Sequence, residues 1–535
     1  MLKYCRRPEF KRILDSRCSS YLSSSTRKKL NGKLLHVRAS TTSAVETEFA
    51  QRITLDGLSL GSSSVSDKTQ VNNTASENSA QHTPSPAELD AGRFRIDQSV
   101  SNWANYAKRP WIEDQNGGGV LSVVQRMSDI SADFVRDPAA AAYWAYHAAR
   151  LSFFVSQAVT GLLAYEASDR AQNLSIASLV AGGSNASSNT STSGSENQPA
   201  PSIFSRLMKS GGDEVSVRAK EAFGVWQQDL SYIQSKYYKM PWDMTTLTHQ
   251  QYNPFFMAAR TSKFVQESVM TLSRRKRNTP DPVWIKGPSL YPQYYTNTYH
   301  YQTDGWFSEK SADVYEHSTE TLFFGRQDAM QRSSLVPISE YISSCGKPAS
   351  ELKLLEVAAG TGRFHTFIKD NWPEMPSVVS DLSPFYLSKA RANIEYWRSQ
   401  TRGGRVLGGG PDGANVEYLQ TAAESIAAAD SSFDIVVVVY LFHELPEAIR
   451  RRAVSEFYRV LKPGGLVVFN DSMQIGDRPE WDNTVGLFGN FNEPYYRNYV
   501  MCDIGGMFEE AGFQPELKLM SSVSKVLSFM KPNVM

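Results

Sequence analysis

The stretch Lys353-Leu-Leu-Glu-Val-Ala-Ala-Gly-Thr-Gly-Arg363 constrains this chain more than any other. Leu354, Leu355 and Val357 form a short apolar run, as a central parallel strand buried on both faces requires. Gly360 and Gly362 follow at once; lacking a Cβ, they permit positive φ and let the backbone approach a ligand closely. Phe364, Phe367 and Ile368 then recur at helical spacing. A strand, a tight turn and a helix in that order build a crevice at the strand's carboxyl end, where open α/β sheets bind ligands.

Two cofactor classes use such a turn. A dinucleotide site wants G-x-G-x-x-G so that a pyrophosphate can reach the backbone. Here His365 stands three residues beyond Gly362, so a nucleotide-linked oxidoreductase would lack its third glycine. The pattern Glu356-x-Ala358-x-Gly360-x-Gly362 resembles motif I of the class I S-adenosylmethionine (SAM)-dependent methyltransferases. The resemblance implies that Glu356 and the loop residues Ala358, Gly360, Thr361 and Gly362 hold the methionyl end of SAM. Ala358 stands where the family usually has its first glycine, which narrows the backbone conformations open to it.

The rest of the C-terminal part alternates strand and helix signals, which implies βαβ units and a parallel sheet. Residues 377–381 read as a second strand ending in Asp381, about 20 residues beyond the glycine turn, where doubly wound folds place a ribose. A carboxylate there accepts from two vicinal hydroxyls through charge-assisted bonds, and Leu382 follows it into the site. Asp381-Leu-Ser-Pro384 also resembles motif II of the family. Residues 416–420 are a third strand. After it Thr421-Ala-Ala-Glu424 is similar to the loop that borders the adenine, which brings Ala423 and Glu424 to the cofactor. Ala422 stands where the family often has Asp, so the adenine N6 would need another acceptor.

Residues 432–440 are the clearest strand, a continuous β-branched run that belongs at the centre of a sheet, and they resemble motif IV. Tyr440, at its carboxyl end, is assigned to the cofactor. Asp434, at the far end, is assigned a structural role. His443 leaves the functional edge as a candidate general base, with Glu444 to orient it or to cap the helix after Pro446. Lys462-Pro-Gly-Gly-Leu466 turns into another strand, and residues 515–519 and 525–530 predict a closing antiparallel hairpin. The resemblance runs from about Leu352 to the C-terminus. It implies a Rossmann-like, seven-stranded methyltransferase sheet over residues 343–535, most similar to small-molecule enzymes such as those of prenylated quinones.

The 535 residues exceed one compact domain. The net charge of +1 hides an asymmetry: residues 1–44 carry eleven Lys/Arg against two Asp/Glu, leaving a net −8 on the remainder. A mildly acidic body argues against a nucleic-acid-binding face. The leader is rich in Ser and Arg, poor in acids and without an apolar core, so residues 1–44 read as an organellar transit peptide, with a plastid ahead of a mitochondrion. Isolated cysteines offer neither a metal spacing nor a disulfide framework.

Residues 45–92, rich in Ser, Thr, Asn and Gln, are expected to be a disordered linker, with order beginning near Phe94. Residues 93–181 read as a helical N-terminal region in which Asp137-Pro138 starts a helix reaching Ala167. Its apolar stretch 151–165 is too short to cross a bilayer, which takes about 20 residues; it reads as a buried helix, with peripheral membrane contact left open. Residues 182–202 are a low-complexity insert, and the glycine-rich stretch 403–413 is an inserted loop. Residues 203–342 form a helical and aromatic lid region. Phe223, Trp226, Leu230 and Ile233 are spaced for a helix, the basic run 274–277 reads as a solvated linker, and Ser308 is an N-cap. Between them Trp284, Tyr291, Tyr294, Tyr295, Tyr299, Tyr301, Trp306 and Phe307 crowd together, either as a lid over the site or as cement between helices and sheet. Tyr299, Tyr495 and Tyr496 are candidate substrate-wall residues.

The expected function is SAM-dependent methyl transfer to a small apolar or aromatic molecule, without a metal. A non-catalytic organellar assembly factor on the same fold would share these motifs.

Overall fold

The computed structural model describes residues 84–108, 137–181, 211–280, 291–401 and 415–533. The expected transit peptide, the insert 182–202, the loop 403–413 and Trp284 lie outside them. Eight strands form one sheet: β1 (Arg95–Ile96), β2 (Leu354–Val357), β3 (Ser377–Asp381), β4 (Val416–Gln420), β5 (Phe433–Val439), β6 (Leu461–Ser472), β7 (Gln514–Ser521) and β8 (Ser524–Met530), in the order β1-β7-β8-β6-β5-β2-β3-β4. β2 runs parallel to β3 and β5, and β6 parallel to β5. β8 is antiparallel to both β6 and β7, the expected hairpin.

The seven strands read from the sequence are β2 to β8; the sheet has an eighth. β1 pairs in parallel with β7, and the Asp97 amide donates to the Lys518 carbonyl at 2.9 Å. A buried quartet of charges seats this added edge. Asp90 Oδ2 lies 2.9 Å from Lys518 Nζ and 2.6 Å from Lys525 Nζ, and Asp477 lies 2.6 and 3.3 Å from the same two lysines. Asp90 belongs to helix α1 (Pro86–Ala91), which stands inside the stretch expected to be disordered. Ser85 and Glu88 close a reciprocal capping box there, so the Glu88 amide in the first turn and the Ser85 cap amide find partners locally.

The remaining long helices are α2 (Gln98–Ala104), α3 (Pro138–Ala181), α4 (Gly211–Gln234), α5 (Pro254–Arg277), α6 (Glu309–Leu322), α7 (Gln327–Arg332), α8 (Leu335–Ser344), α9 (Arg363–Asn371), α10 (Pro384–Gln400), α11 (Glu447–Val460) and α12 (Ile504–Glu510). Asp137 caps α3, its Oδ1 accepting from the Ala139 and Ala140 amides at 3.0 and 3.1 Å. α3 runs on past Ala167, and Phe154 and Gln157 within its apolar stretch are buried. Among the described residues no helix is long and apolar enough to cross a membrane. Residues 274–277 are not a solvated linker: they form the last turn of α5, ended by Asn278 at φ 49°. Cations suit a helix carboxyl end, and buried Arg274 donates to the Tyr301 carbonyl at 2.9 Å.

Successive side chains of β5 point to opposite faces. Val436 and Val438 join a core that contains Leu355, Val467 and, from the helical region, Trp103, Tyr143 and Trp226. Ile435 and Val437 join a second core with Leu354, Phe364, Phe367 and Trp242. Helices from before the sheet thus pack on both faces of it.

Candidate active site at the carboxyl edge of the sheet

The chain leaves β2 through Ala358 (φ 53°), Gly360 (φ 56°) and Gly362 (φ 67°). The Ala359 amide donates to the Ser380 carbonyl at 2.8 Å, tying the turn to β3. Asp381 then closes it: Oδ2 accepts from the Gly360 amide at 2.9 Å and Oδ1 from the Ser383 amide at 2.7 Å. Ser383 caps α10 and Pro384 opens it. Burial pushes the Asp381 carboxyl above its usual range, although amide donors oppose the shift.

Glu356 borders the site, but its Oε2 sits 2.8 Å from His365 Nδ1, and His365 Nε2 sits 2.9 Å from Ser377 Oγ. Burial holds the Glu356 carboxyl well above and the His365 imidazole well below their usual ranges, disfavouring charge on each. His365, standing where a dinucleotide site needs glycine, is fully buried against the strands.

A cavity of ≈ 210 Å³ opens over this edge. Of the residues assigned to a cofactor, Glu356, Ala358, Gly360, Thr361, Asp381, Leu382, Ala423 and Tyr440 border it. Gly362 and Glu424 do not. A Cβ on Gly362 would meet Ala390 Cβ of α10 at 2.8 Å, so this glycine serves helix packing. Glu424 accepts both its bonds from the Tyr294 hydroxyl, at 2.7 and 2.8 Å. Ala422 borders the cavity with no side-chain acceptor.

His443 does not border the cavity; its neighbour Glu444 does. His443 Nδ1 lies 2.6 Å from Asp471 Oδ1. Burial disfavours the charged ring, but Asp471 outweighs it and lifts the imidazole to about 10. Burial likewise raises Glu444, to about 7, against the pull of His443 and His300. His443 Nε2 stands 4.0 Å from Glu444 Oε1. A half-buried acid that ionises near neutrality, beside an imidazolium, is an arrangement for accepting a proton.

The three tyrosines assigned to substrate lie elsewhere. Tyr299 is buried, its hydroxyl donating to the Glu444 carbonyl at 2.7 Å. The Tyr496 hydroxyl meets Ser472 Oγ at 2.6 Å, and the Tyr495 carbonyl accepts from Arg450 at 3.0 Å. Tyr295, Trp306 and Tyr315 border the cavity instead. The aromatic segment packs on the sheet edge beside the cavity: Tyr295 reaches Asp381 at 3.4 Å, and Ser383 Oγ donates to the Trp306 carbonyl at 2.5 Å.

The opposite wall comes from the helical region, where sequence reasoning offered only the aromatic segment and Tyr299 as site residues. Arg363, just past the turn, is held by Asp328 at 2.8 Å and Asp243 at 2.5 Å. Arg150 of α3 is held by Glu320 at 2.7 Å and Asp328 at 3.1 Å. Only Arg363 stood next to a motif; the other partners are joined by folding alone.

Residues 355–469 match the family model described as a methyltransferase domain. A malonyl-[acyl-carrier protein] O-methyltransferase of Paenibacillus sp. is 29% identical over 145 residues, 26% of this chain and 46% of that protein. A demethylmenaquinone methyltransferase of Thermus thermophilus is 28% identical over 155 residues, 29% of this chain and 59% of that protein. The solved CurJ carbon methyltransferase is 14% identical with a TM-score of 0.35, covering 78% of this chain and 100% of its own. The chain spans about half the length of the curated relatives it matches. With the strand order of the sheet, the glycine turn and Asp381 in place, the C-terminal part of this chain is a class I SAM-dependent methyltransferase domain.

Proposed function

We propose that the chain binds SAM along this edge and methylates a small apolar or aromatic molecule held under Tyr295, Trp306 and Tyr315. The observation that carries the reading is that two carboxyls, buried Asp381 at the end of β3 and half-buried Glu444 past β5, face one ≈ 210 Å³ cavity. The residues fit the cofactor. Each Asp381 oxygen accepts one backbone amide and keeps a further lone pair for a diol hydroxyl, Ala423 offers an apolar contact to a base, and a Cβ built on Gly360 would find no atom nearer than Tyr386 Cδ1 at 4.0 Å, so the cavity side of the turn is open. SAM, when bound, supplies an activated methyl group, and the protein contributes placement and electrostatics.

Glu444 then has one task, to take the proton from an acidic O–H, N–H or C–H of the substrate. Its carboxylate is steadied by the His443 imidazolium, which Asp471 in turn orients. The rings overhead keep water from competing. The relatives' printed names, with demethylmenaquinone in one and the malonyl group of malonyl-[acyl-carrier protein] in the other, support a small acceptor group. A labelled-methyl screen of organelle extracts tests this. Wild type should label a low-mass product; Glu444→Gln should bind the cofactor yet label nothing. Equal labelling by that variant removes Glu444 from the role. We also propose that residues 1–44 direct the chain to an organelle, a plastid first. A fluorescent fusion that stays in the cytosol would reject this.

A further inference from the structure

Three side-chain oxygens on the cavity wall are buried without a hydrogen-bond partner, and burial raises the one carboxyl among them, Glu320, to about 8, so that a cation beside it would favour its ionised, accepting form. Glu320 Oε1 accepts from Arg150 at 2.7 Å and from the Asp328 amide at 3.1 Å, but Glu320 Oε2 is buried with no partner. Gln327 Oε1 and Gln331 Oε1 are likewise buried and unpartnered. Glu320 and Gln327 are 7% and 6% exposed. Gln327 and Gln331 lie four apart on α7 and so share a face, and the Asp328 bond brings Glu320 beside them. All three residues border the cavity. A buried acceptor left unmade costs about 1–3 kcal/mol, so three together call for a ligand with several donors.

The sheet order says which part of a ligand arrives there. Asp381 ends β3, and the loop from Thr421 to Ala423 follows β4, so sugar and base occupy that side. The amino-acid tail of SAM must then run the other way, over β2 and β5. α7 lies across that path: Asp328 grips Arg363 just past β2, and the Met330 carbonyl meets Asn470 at the end of β6. The tail carries a carboxylate, which only accepts, and an ammonium, which offers three donors. Glu356, the acid expected at this end, has its Oε2 committed to His365.

We infer that Glu320, Gln327 and Gln331 seat the α-ammonium group of SAM, so that helices outside the methyltransferase domain complete the cofactor site. This rests on the SAM reading above. The test is calorimetry on the full chain with S-adenosylhomocysteine and with the analogue in which hydrogen replaces the α-amino group. Wild type should prefer the amino compound by about 10- to 100-fold, the range expected of hydrogen bonds to a charged group. In Gln327→Met, Gln331→Met and Glu320→Gln that preference should shrink severalfold, while affinity for the desamino analogue holds. The two methionine variants break no ion pair and carry the test if loss of the Arg150 partner unfolds Glu320→Gln. No preference in wild type, or an undiminished preference in all folded variants, overturns the ammonium seat and leaves the cofactor reading standing. A wild type that binds neither compound takes down both.

Discussion

Gly360 and Gly362 have the same backbone sign and opposite surroundings, so alanine at each should fail differently. Both sit in the left-handed region, at φ 56° and 67°. An L side chain there costs roughly 1–2 kcal/mol. At Gly360 that is the whole charge on the apo protein, because the nearest atom to a built Cβ is Tyr386 Cδ1 at 4.0 Å. The new methyl would instead stand over the cavity side of the turn, where the cofactor backbone must pass. At Gly362 the Cβ would lie 2.8 Å from Ala390 Cβ and 3.0 Å from Ala390 Cα, and a backbone carbon cannot swing away. Carbon pairs sit at about 3.5–4.0 Å. Separating α9 from α10 enough to admit the group adds about 1–3 kcal/mol of overpacking, for a total near 2–5 kcal/mol. Urea unfolding and calorimetry with S-adenosylhomocysteine read the two effects separately. Gly360→Ala should unfold within about 2 kcal/mol of wild type and lose most of its affinity. Gly362→Ala should be the less stable by about 1–3 kcal/mol. Equal destabilisation, or a Gly360→Ala protein with wild-type affinity, would refute the division of roles between the two glycines.

Asp381→Asn keeps the shape but turns an amide toward the Gly360 or Ser383 amide; affinity for S-adenosylhomocysteine should fall about 10- to 100-fold by calorimetry, and an unchanged value would release Asp381 from the ribose. Glu444 has its folded value raised from 4.5 to about 7 by burial. A base works ionised, so methyl transfer should rise with pH through about 7 and level off above it, while the stability this group lends the apo fold, full below 4.5, is lost over the same rise. A flat profile would remove Glu444 as the base. Asp90→Ala leaves Lys518 and Lys525 to share Asp477 alone in a buried setting; chemical denaturation should show a loss of about 3–5 kcal/mol, and a loss below about 1 kcal/mol would show that the amino-terminal segment is not clamped there.

What the sequence revealed was local. The strand run of β5, the spacing of Gly360 and Gly362 after β2, and the distance from that turn to Asp381 are all set within a few dozen residues, and each stands as read. β1 was illegible because two exposed residues carry no periodicity. α1 was legible and missed: Ser85-x-x-Glu88 is a capping-box spacing inside a polar stretch. At the edge itself, His443 and Glu444 are neighbours, and only the fold decides that Glu444 meets the cavity while His443 turns to Asp471. Tyr495 and Tyr496 were lost in the same way. Arg150 and Glu320 had no local signal at all, since their meaning lies in a pairing across the fold.

The edge of the cavity is built before any ligand arrives. Ala358 at φ 53° and Tyr440 at φ 55° are non-glycine residues in left-handed backbone at the ends of adjacent strands. Such positions persist only where the surroundings over-determine them. Here the Ala359 amide is fixed to Ser380, the Tyr440 amide to the Asn470 carbonyl at 2.8 Å, and the Tyr440 hydroxyl to Ser524 at 2.5 Å. A ligand entering this edge meets a formed turn and need not order it, which leaves more of its contact energy for affinity. The roof differs in origin. Trp242 and Tyr315 come from helices that precede the methyltransferase domain and pack on it through shared cores, and Phe256 of α5 borders the cavity beside them. On the proposed reading, cofactor placement belongs to this edge and the choice of acceptor to the roof, so that changing the roof should alter what is methylated while Asp381 and the turn continue to hold the same cofactor.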